Sequence, residues 1–158
     1  MRKRILDSTQ KQEVSDDSNW LNLDRLADVE VTSEDPAHPI ESALLPNRSS
    51  GWRAGGMGEQ TIRLLFLSPQ AVRRIRLNFV ESEAERTQEY VLRWSRDGGK
   101  TFRDLVRQRW NFSPHGSTSE TEDHQVDLLG VSALELHIIP DIGGSSNVTA
   151  SLAQMRVA

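Results

Sequence analysis

The chain has no cysteine and no hydrophobic run long enough to cross a membrane. The absence of cysteine excludes disulfides and thiolate chemistry, which suits a reducing cytoplasm. A membrane-spanning helix needs about 20 consecutive apolar residues, whereas the apolar residues here fall into short clusters. The basic residues at positions 2–4 are not followed by an apolar segment, so no signal peptide is predicted. We therefore expect a cytoplasmic protein that has no membrane partner.

The motifs of common enzyme classes are also missing. There is no nucleophile elbow, phosphate-binding loop or zinc signature, and none of the four histidines lies at metal-ligand spacing from another. His124 follows Glu120, Glu122 and Asp123 closely. This pattern could place His124 as a base oriented by a carboxylate, but we prefer the alternative that the segment is an exposed acidic loop. The sequence does not exclude a pair of carboxylates for glycoside hydrolysis, although nothing in it selects a particular pair. We predict a protein that is not an enzyme and has no cofactor.

The length of 158 residues is that of one ordinary domain. Residues 1–18 are polar and show no hydrophobic periodicity, so we expect them to be disordered or to form an arm. Residues 19–158 carry the apolar clusters and are expected to form a single β-sandwich domain.

The segment from Tyr90 to Trp110 carries the clearest local pattern. Tyr90, Leu92 and Trp94 lie on one side of an alternating run, which is the period of a half-buried strand. Residues 96–100 (RDGGK) supply turn chemistry, because Asp tolerates a left-handed backbone and Gly takes a positive φ without steric cost. Apolar residues then resume and continue to Trp110. The segment therefore predicts a β-hairpin.

The other apolar segments are short and are separated by turn residues. Strands are predicted over 27–33, 61–67, 72–80, 125–129, 133–139 and 148–157, and a short helix over 39–45. Residues 46–58 and 111–124 are predicted as long loops. Many short strands with little helix indicate an all-β fold, an antiparallel β-sandwich. Its expected core includes Ile75, Leu77, Phe79, Leu92, Trp94, Leu134, Leu136 and Ile138.

The order of these segments resembles the galactose-binding-like jelly roll, the fold of discoidin or coagulation-factor type C domains and of many carbohydrate-binding modules. The resemblance covers an early strand at 29–33, a proline-containing helical turn at 39–45, a loop tryptophan at Trp52, strands within 62–79 and the hairpin at 90–102. In the hairpin the family pattern is carried by Ser95, Asp97, Gly98 and Phe102. It implies a jelly-roll sandwich that binds its ligand through loops at one end.

Two details of the resemblance concern metal and fold. Members of the family often bind a structural calcium ion, but Gln154 stands where they carry a glutamate. Asp35 and Glu41 are weak calcium candidates, because calcium prefers several hard oxygen ligands. The run from Ser95 to Phe102 also resembles the Asp-box of sialidase-type β-propellers. A propeller needs several such repeats, and this chain has one.

The candidate ligand-binding residues lie in the two predicted loops. Sugars are held by aromatic faces and by planar hydrogen-bonding groups, and the loop residues with this chemistry are Trp52, Arg53, Asn111, Phe112 and His115. We predict that Arg53, Asn111 and His115 line one shallow cleft above Trp52 or Phe112. Burial in the core is the alternative for both aromatic residues.

Three functions are weighed on this basis. The first is a non-catalytic binding module, with carbohydrate or another small polar molecule as ligand. The second is a protein–protein interaction or scaffold domain. The third, ranked last, is nucleic-acid binding, because residues 52–109 hold 12 Lys and Arg against 7 Asp and Glu (12 − 7 = +5) although the whole chain carries −4. Its candidate residues are Arg63, Arg74, Arg76, Arg93 and Arg107.

Overall fold

The structure, a computed structural model, describes residues 20–48, 50–143 and 147–158. The predicted arm at 1–18 lies outside the described residues. The elements in chain order are α1 (Leu23–Leu26), β1 (Ala27–Val31), α2 (Glu41–Leu44), β2 (Trp52–Met57), β3 (Gln60–Val80), β4 (Arg86–Ser95), β5 (Arg103–Phe112), β6 (Ser119–Ile139), β7 (Thr149–Leu152) and β8 (Gln154–Val157). Both helices are single turns, and no helix of the described chain could cross a membrane.

All of the strand pairs are antiparallel. The larger sheet has the order β1-β3-β6-β4-β5, with β8 also paired to β3, and β2 pairs with β7 in a two-stranded sheet. The long strands β3 and β6 pair along both of their halves, with register shifts where β3 passes through residues 65–74. The first half of β3 pairs with β1 and lies in the layer that contains β4 and β5. The second half of β3 pairs with β8. These pairings confirm the predicted antiparallel jelly roll.

The core lies between these layers. Ile75, Leu77 and Phe79 project inward at alternate positions of β3, and the ring centroids of Phe79 and Tyr90 are 5.2 Å apart. All eight residues of the predicted core are buried, so the period-two patterns assigned their inward faces correctly. The burial of such side chains stabilises the fold by roughly 1.5–3 kcal/mol each.

The predicted hairpin is confirmed as β4 and β5. Its turn is held by Asp97, whose carboxylate accepts hydrogen bonds from the Ser95 hydroxyl (2.6 Å) and the Thr101 amide (2.9 Å). These hydrogen bonds hold the pKa of Asp97 below its usual range. Gly98 and Gly99 have φ angles of 77° and 91°, which residues with a Cβ rarely adopt. The Asp-box-like sequence is therefore the turn of one hairpin.

Several predicted boundaries were wrong. The strands predicted separately at 61–67 and 72–80 are one strand, β3, because the chain passes residues 68–70 with a register shift and not with a reversal. The predicted loop at 46–58 contains β2, and the predicted loop at 111–124 is shared between the end of β5 and the start of β6. The predicted strand at 148–157 is two strands, β7 and β8, which pair with different partners on either side of Ala153.

Candidate functional site

A cleft of about 200 Å³ lies where the ends of several strands meet. Its walls come from His38, from residues 50–53 at the start of β2, from residues 80–83 after β3 and from residues 151–153 after β7. The polar side chains among them belong to His38, Ser50, Arg53, Glu81, Ser82, Glu83 and Ser151. We call this the polar cleft.

The backbone around Arg53 is fixed from two sides. The Arg53 amide donates to the carbonyl of His38 (3.1 Å), and the Arg53 carbonyl accepts from the amide of Asp35 (2.8 Å). On the other side β2 pairs with β7, where Arg53 is opposite Ser151. Because side chains alternate along a strand, the burial of Trp52 turns Arg53 outward into the cleft. His38, Arg53 and Ser151 are thus held close together by backbone hydrogen bonds.

Glu81 also lines the polar cleft and is held by its own partners. Arg86, whose side chain is fully buried, donates from Nε to the Glu81 carboxylate (2.8 Å), and the Glu83 amide donates to its other oxygen (3.2 Å). Burial alone would raise the pKa of Glu81, but the Arg86 hydrogen bond and the backbone amides outweigh it, so this pKa is lowered. Glu81 is therefore a carboxylate at neutral pH and serves as an acceptor.

Three other groups in the polar cleft are available to a ligand. The exposed Arg53 side chain makes no hydrogen bond or ion pair with any other described residue. The Nδ1 atom of His38 lies 3.3 Å from the carbonyl oxygen of Ser50, which can only accept, so neutral His38 donates there and keeps an acceptor at Nε2. Glu83 is exposed. The cleft thus offers one charged donor beside two acceptors.

The two aromatic residues predicted for the site are core residues. Trp52 is 1% exposed and Phe112 is 0% exposed, so neither ring presents a face to a ligand. The indole N–H of Trp52 donates to the Ser33 carbonyl (3.1 Å), and the Arg86 guanidinium lies 5.1 Å from the centroid of the Phe112 ring. Trp52 lines the polar cleft but is almost fully covered, and Phe112 does not line it, so neither ring forms the open apolar floor that was predicted.

The other three predicted residues do not share one cleft. Arg53 lines the polar cleft, whereas Asn111 lines a second cleft of about 520 Å³ together with Thr87, Arg109, Trp110 and Ser117. We call this second one the tryptophan cleft. His115 is exposed in the tight turn between β5 and β6, where the Gly116 amide donates to the Ser113 carbonyl (3.0 Å). The prediction of a single cleft is therefore replaced by two.

The sequence did not single out four residues of the polar cleft, namely His38, Glu81, Glu83 and Ser151. A usable signal was present for the first three, because polar residues beside prolines or directly after a strong strand gather at a sheet edge. Ser151 gave no such signal, since it lies inside a segment with an ordinary strand pattern. Its contribution depends on pairing with β2, which is distant in sequence.

The two calcium candidates, Asp35 and Glu41, lie in the segment between β1 and β2. The Asp35 carboxylate accepts from the Ala37 amide (2.9 Å), and Glu41 lies in the first turn of α2. Gln154 lies on β8. No three His, Asp or Glu residues of the described chain are close enough to hold a metal ion. Calcium binding by Asp35 or Glu41 together with backbone carbonyls stays a prediction.

The acidic segment before His124 is not the exposed loop that we predicted. It is the first part of β6, and the Tyr90 hydroxyl lies 2.8 Å from Nε2 of His124. Glu120 is only 3% exposed, and neither of its carboxylate oxygens has a hydrogen-bond partner among the described residues. Burial, together with the neighbouring Glu122, raises the pKa of Glu120 to about 8. Inward-facing acidic residues had concealed the strand pattern.

Solved structures of other proteins share this fold. The family 32 carbohydrate-binding module of NanJ from Clostridium perfringens, solved with galactose, has a TM-score of 0.63 at 15% identity, over 87% of this chain and 96% of that one. The C. perfringens module CpGH89CBM32-5, solved with GalNAc-β-1,3-galactose, has 0.61 at 20%, over 87% and 98%. A chitosan-binding module from a chitosanase/glucanase of Paenibacillus sp. IK-5 has 0.61 at 19%, over 87% and 98%.

The sequence itself matches one family model. No curated protein sequence matches the chain. The model of the F5/8 type C domain matches residues 28–152, which is most of the chain and runs from β1 to β7. The match agrees with the jelly-roll topology and with the resemblance of the hairpin. The chain is therefore a member of the F5/8 type C domain family.

Proposed function

We propose that this protein is a non-catalytic carbohydrate-binding module whose polar cleft binds neutral, galactose-containing glycans. The observation that carries the proposal is the exposed Arg53 guanidinium, which has no partner among the described residues and lies in one cleft with His38 and Glu83. Two modules of similar fold were solved with galactose or a galactose-containing disaccharide, which supports this class of ligand. Fold alone does not fix function, so the chemistry of the cleft must also suit a sugar.

The polar groups complement neighbouring hydroxyls of a sugar ring. A hydroxyl both donates and accepts hydrogen bonds, whereas Arg53 only donates and a carboxylate only accepts. Adjacent hydroxyls can therefore accept from Arg53 while they donate to Glu83 or to Nε2 of His38. Arg86 compensates the charge of Glu81, and Arg53 balances Glu83. A cleft without net charge favours a neutral sugar over an anionic one.

The same groups argue against hydrolysis. A glycosidase needs a carboxylic acid with a raised pKa opposite a second carboxylate. The pKa of Glu81 is lowered, and both of its oxygens already accept hydrogen bonds from Arg86 and from backbone amides. Glu81 therefore cannot supply a proton near neutral pH. Glu81 therefore serves to orient a sugar and not to cleave it.

The test is a glycan array, followed by titration calorimetry with galactose. We expect neutral galactose-containing glycans to bind and Arg53→Ala to weaken them by about 1–3 kcal/mol, the range for a lost charged hydrogen bond. The melting temperature should hardly change, because the Arg53 side chain is exposed. Arg73→Ala is the matched control, since Arg73 is 70% exposed and lies outside the cleft. Equal binding by Arg53→Ala and Arg73→Ala would place the sugar elsewhere, and no binding to any glycan would favour the scaffold alternative.

A further inference from the structure

The tryptophan cleft has the size and composition of a ligand site but no part in the proposal above. Its volume of about 520 Å³ lies within the range of roughly 300–1,000 Å³ that ligand sites occupy. Thr87 at the start of β4, Arg109 to Asn111 at the end of β5, and Ser117 before β6 supply its walls. The polar cleft, at about 200 Å³, is much smaller.

The two clefts offer different chemistry. The polar cleft has hydrogen-bonding groups but no exposed aromatic face, because Trp52 is buried. The tryptophan cleft is lined by Trp110, which is half-buried and whose indole N–H has no hydrogen-bond partner among the described residues. An aromatic ring that is partly open beside polar groups is a common arrangement for holding a sugar, since it can contact the apolar face of the ring.

Polar groups in the tryptophan cleft are oriented by neighbours. The Thr87 hydroxyl donates to the amide oxygen of Asn111 (2.6 Å), which leaves the amide nitrogen to donate to a ligand. Arg109 donates from Nε to Glu89 (2.9 Å) while 68% of its side chain stays exposed. The cleft therefore presents at least two donors, and these donors are fixed by hydrogen bonds within the β4–β5 hairpin.

Hydrogen bonds connect the residues of one cleft to the neighbours of the other. The amide of Glu81, in the polar cleft, donates to the carbonyl of Thr118 (2.8 Å), and the preceding residue Ser117 lines the tryptophan cleft. A second link runs through Arg86, which binds the Glu81 carboxylate (2.8 Å) and is followed by Thr87 of the tryptophan cleft. Both links run through Glu81, so this residue connects the polar cleft to the chain on two sides of the tryptophan cleft.

We propose that the tryptophan cleft is a second sugar-binding subsite, so that the module binds an extended neutral oligosaccharide across both clefts and not only a terminal residue. This inference rests on the proposed function, because the first sugar lies in the polar cleft. The second sugar packs against Trp110 and accepts hydrogen bonds from Asn111 and Arg109. The binding of one chain at two adjacent subsites raises the affinity, since the second contact is made without a second loss of translational freedom.

The test is a calorimetric length series with galactose, β-1,4-galactobiose and β-1,4-galactotetraose. The affinity of the wild-type protein should rise at least about tenfold from galactose to galactotetraose, because one good aromatic contact contributes a binding free energy of about that size. Trp110→Phe and Asn111→Ala should each weaken galactotetraose about 3–10-fold and leave galactose within about twofold. Asn111 is exposed, so Asn111→Ala keeps the test valid if Trp110→Phe destabilises the fold.

The outcomes separate the two proposals. If Arg53→Ala weakens every sugar but affinity does not rise with length and Asn111→Ala changes nothing, the second subsite is wrong and the polar cleft stands. If Arg53→Ala changes nothing while Asn111→Ala abolishes binding, the two-cleft arrangement is overturned together with the proposed position of the first sugar. A failure of the wild-type protein to bind any member of the series rejects both proposals for galactans.

Discussion

Glu120 shows how one side chain can set the pH dependence of stability. Its carboxyl group is buried in β6, opposite Phe79 of β3, and it has no hydrogen-bond partner among the described residues. Burial and the neighbouring Glu122 both disfavour the charged form, and the pKa of Glu120 is about 8. The Tyr90 hydroxyl also has a raised pKa, through burial and then through Glu122 and Glu120. At neutral pH this corner of the core therefore keeps Glu120 protonated.

We predict that Glu120→Gln removes part of the pH dependence of stability. The folded protein binds the Glu120 proton more tightly than the unfolded chain, so stability from this group is fully present below about pH 4.5 and is lost as the pH rises through about 8. The slope between these values is up to about 1.4 kcal/mol per pH unit. Melting curves of Glu120→Gln and the wild type should be similar at pH 4.5, and the variant should melt higher at pH 9. The exposed Glu85→Gln should follow the wild type, and a constant difference at all pH values would contradict the prediction.

At the residue scale, the sequence separates core from surface well where strands alternate cleanly. It identified the buried faces of β3, β4 and the second half of β6. The sequence did not decide whether Trp52 and Phe112 pack in the core or contact a ligand, because an aromatic residue near a turn can do either. That decision depends on what packs above the ring, for example the Arg86 guanidinium over Phe112, and such contacts are non-local.

At the element scale, β2 is shaped by its contact with the segment after β1. The Ser33 hydroxyl accepts from the Gly55 amide (2.9 Å) and donates to the side chain of Gln60 (2.7 Å), while the Ser33 carbonyl accepts from the Trp52 indole (3.1 Å). A Cβ added at Gly55 would lie 2.8 Å from the carbonyl oxygen of Glu34. The glycine is thus required by the close approach of two backbones, on the same strand that presents Arg53.

Gly55→Ala should therefore destabilise the protein and weaken sugar binding together. The atom it meets belongs to the backbone, which cannot move aside cheaply, and such overpacking costs about 1–3 kcal/mol. Gly56→Ala is a matched control on the adjacent residue, because its Cβ would meet nothing within 4 Å. Urea denaturation gives the stability and calorimetry with galactose gives the affinity. If the two variants have the same unfolding free energy, the packing argument for Gly55 is wrong.

The elements differ in how far their sequences determine them. The β4–β5 hairpin was predictable because its alternation and its turn residues are local and agree. The first half of β6 was not, because its inward-facing positions carry Glu120, Glu122 and His124. Nor was β2, whose segment WRAGGM contains two glycines and no β-branched residue. Both strands form because partners far away in the sequence, β3 and β7, provide the pairing edges.

On the scale of the whole molecule, many basic residues of the middle section lie against acidic residues. Each of the five arginines considered for nucleic-acid binding is paired with a carboxylate. Arg63 and Arg93 both contact Glu135 (2.7 and 3.2 Å), and Arg107 contacts Glu89 (3.1 Å). Arg74 and Arg76 both contact Asp123 (2.5 and 3.4 Å), and their guanidinium groups lie 4.7 and 5.1 Å from the ring centroid of Trp20. Glu135 and Asp123, which lie outside residues 52–109, thus offset part of the excess of +5.

We therefore predict that the protein binds DNA weakly and that its sugar binding hardly depends on salt. Each phosphate contact contributes a slope of about −0.9 to the plot of log K against log salt, and arginines already paired within the fold, in a chain of net charge −4, provide few such contacts. Fluorescence anisotropy with a labelled 20-base-pair duplex should give a dissociation constant above about 10⁻⁴ M at physiological salt, the weak end of non-specific binding. Calorimetry with galactotetraose at 50 and 500 mM salt should give affinities within about twofold, because neutral hydroxyls release no counterions.

As a positive control, Glu89→Gln removes the carboxylate that Arg107 and Arg109 share and should strengthen DNA binding. Micromolar DNA binding by the wild type, with a slope of several units in the plot of log K against log salt, would overturn the prediction and support a nucleic-acid surface formed by the arginines.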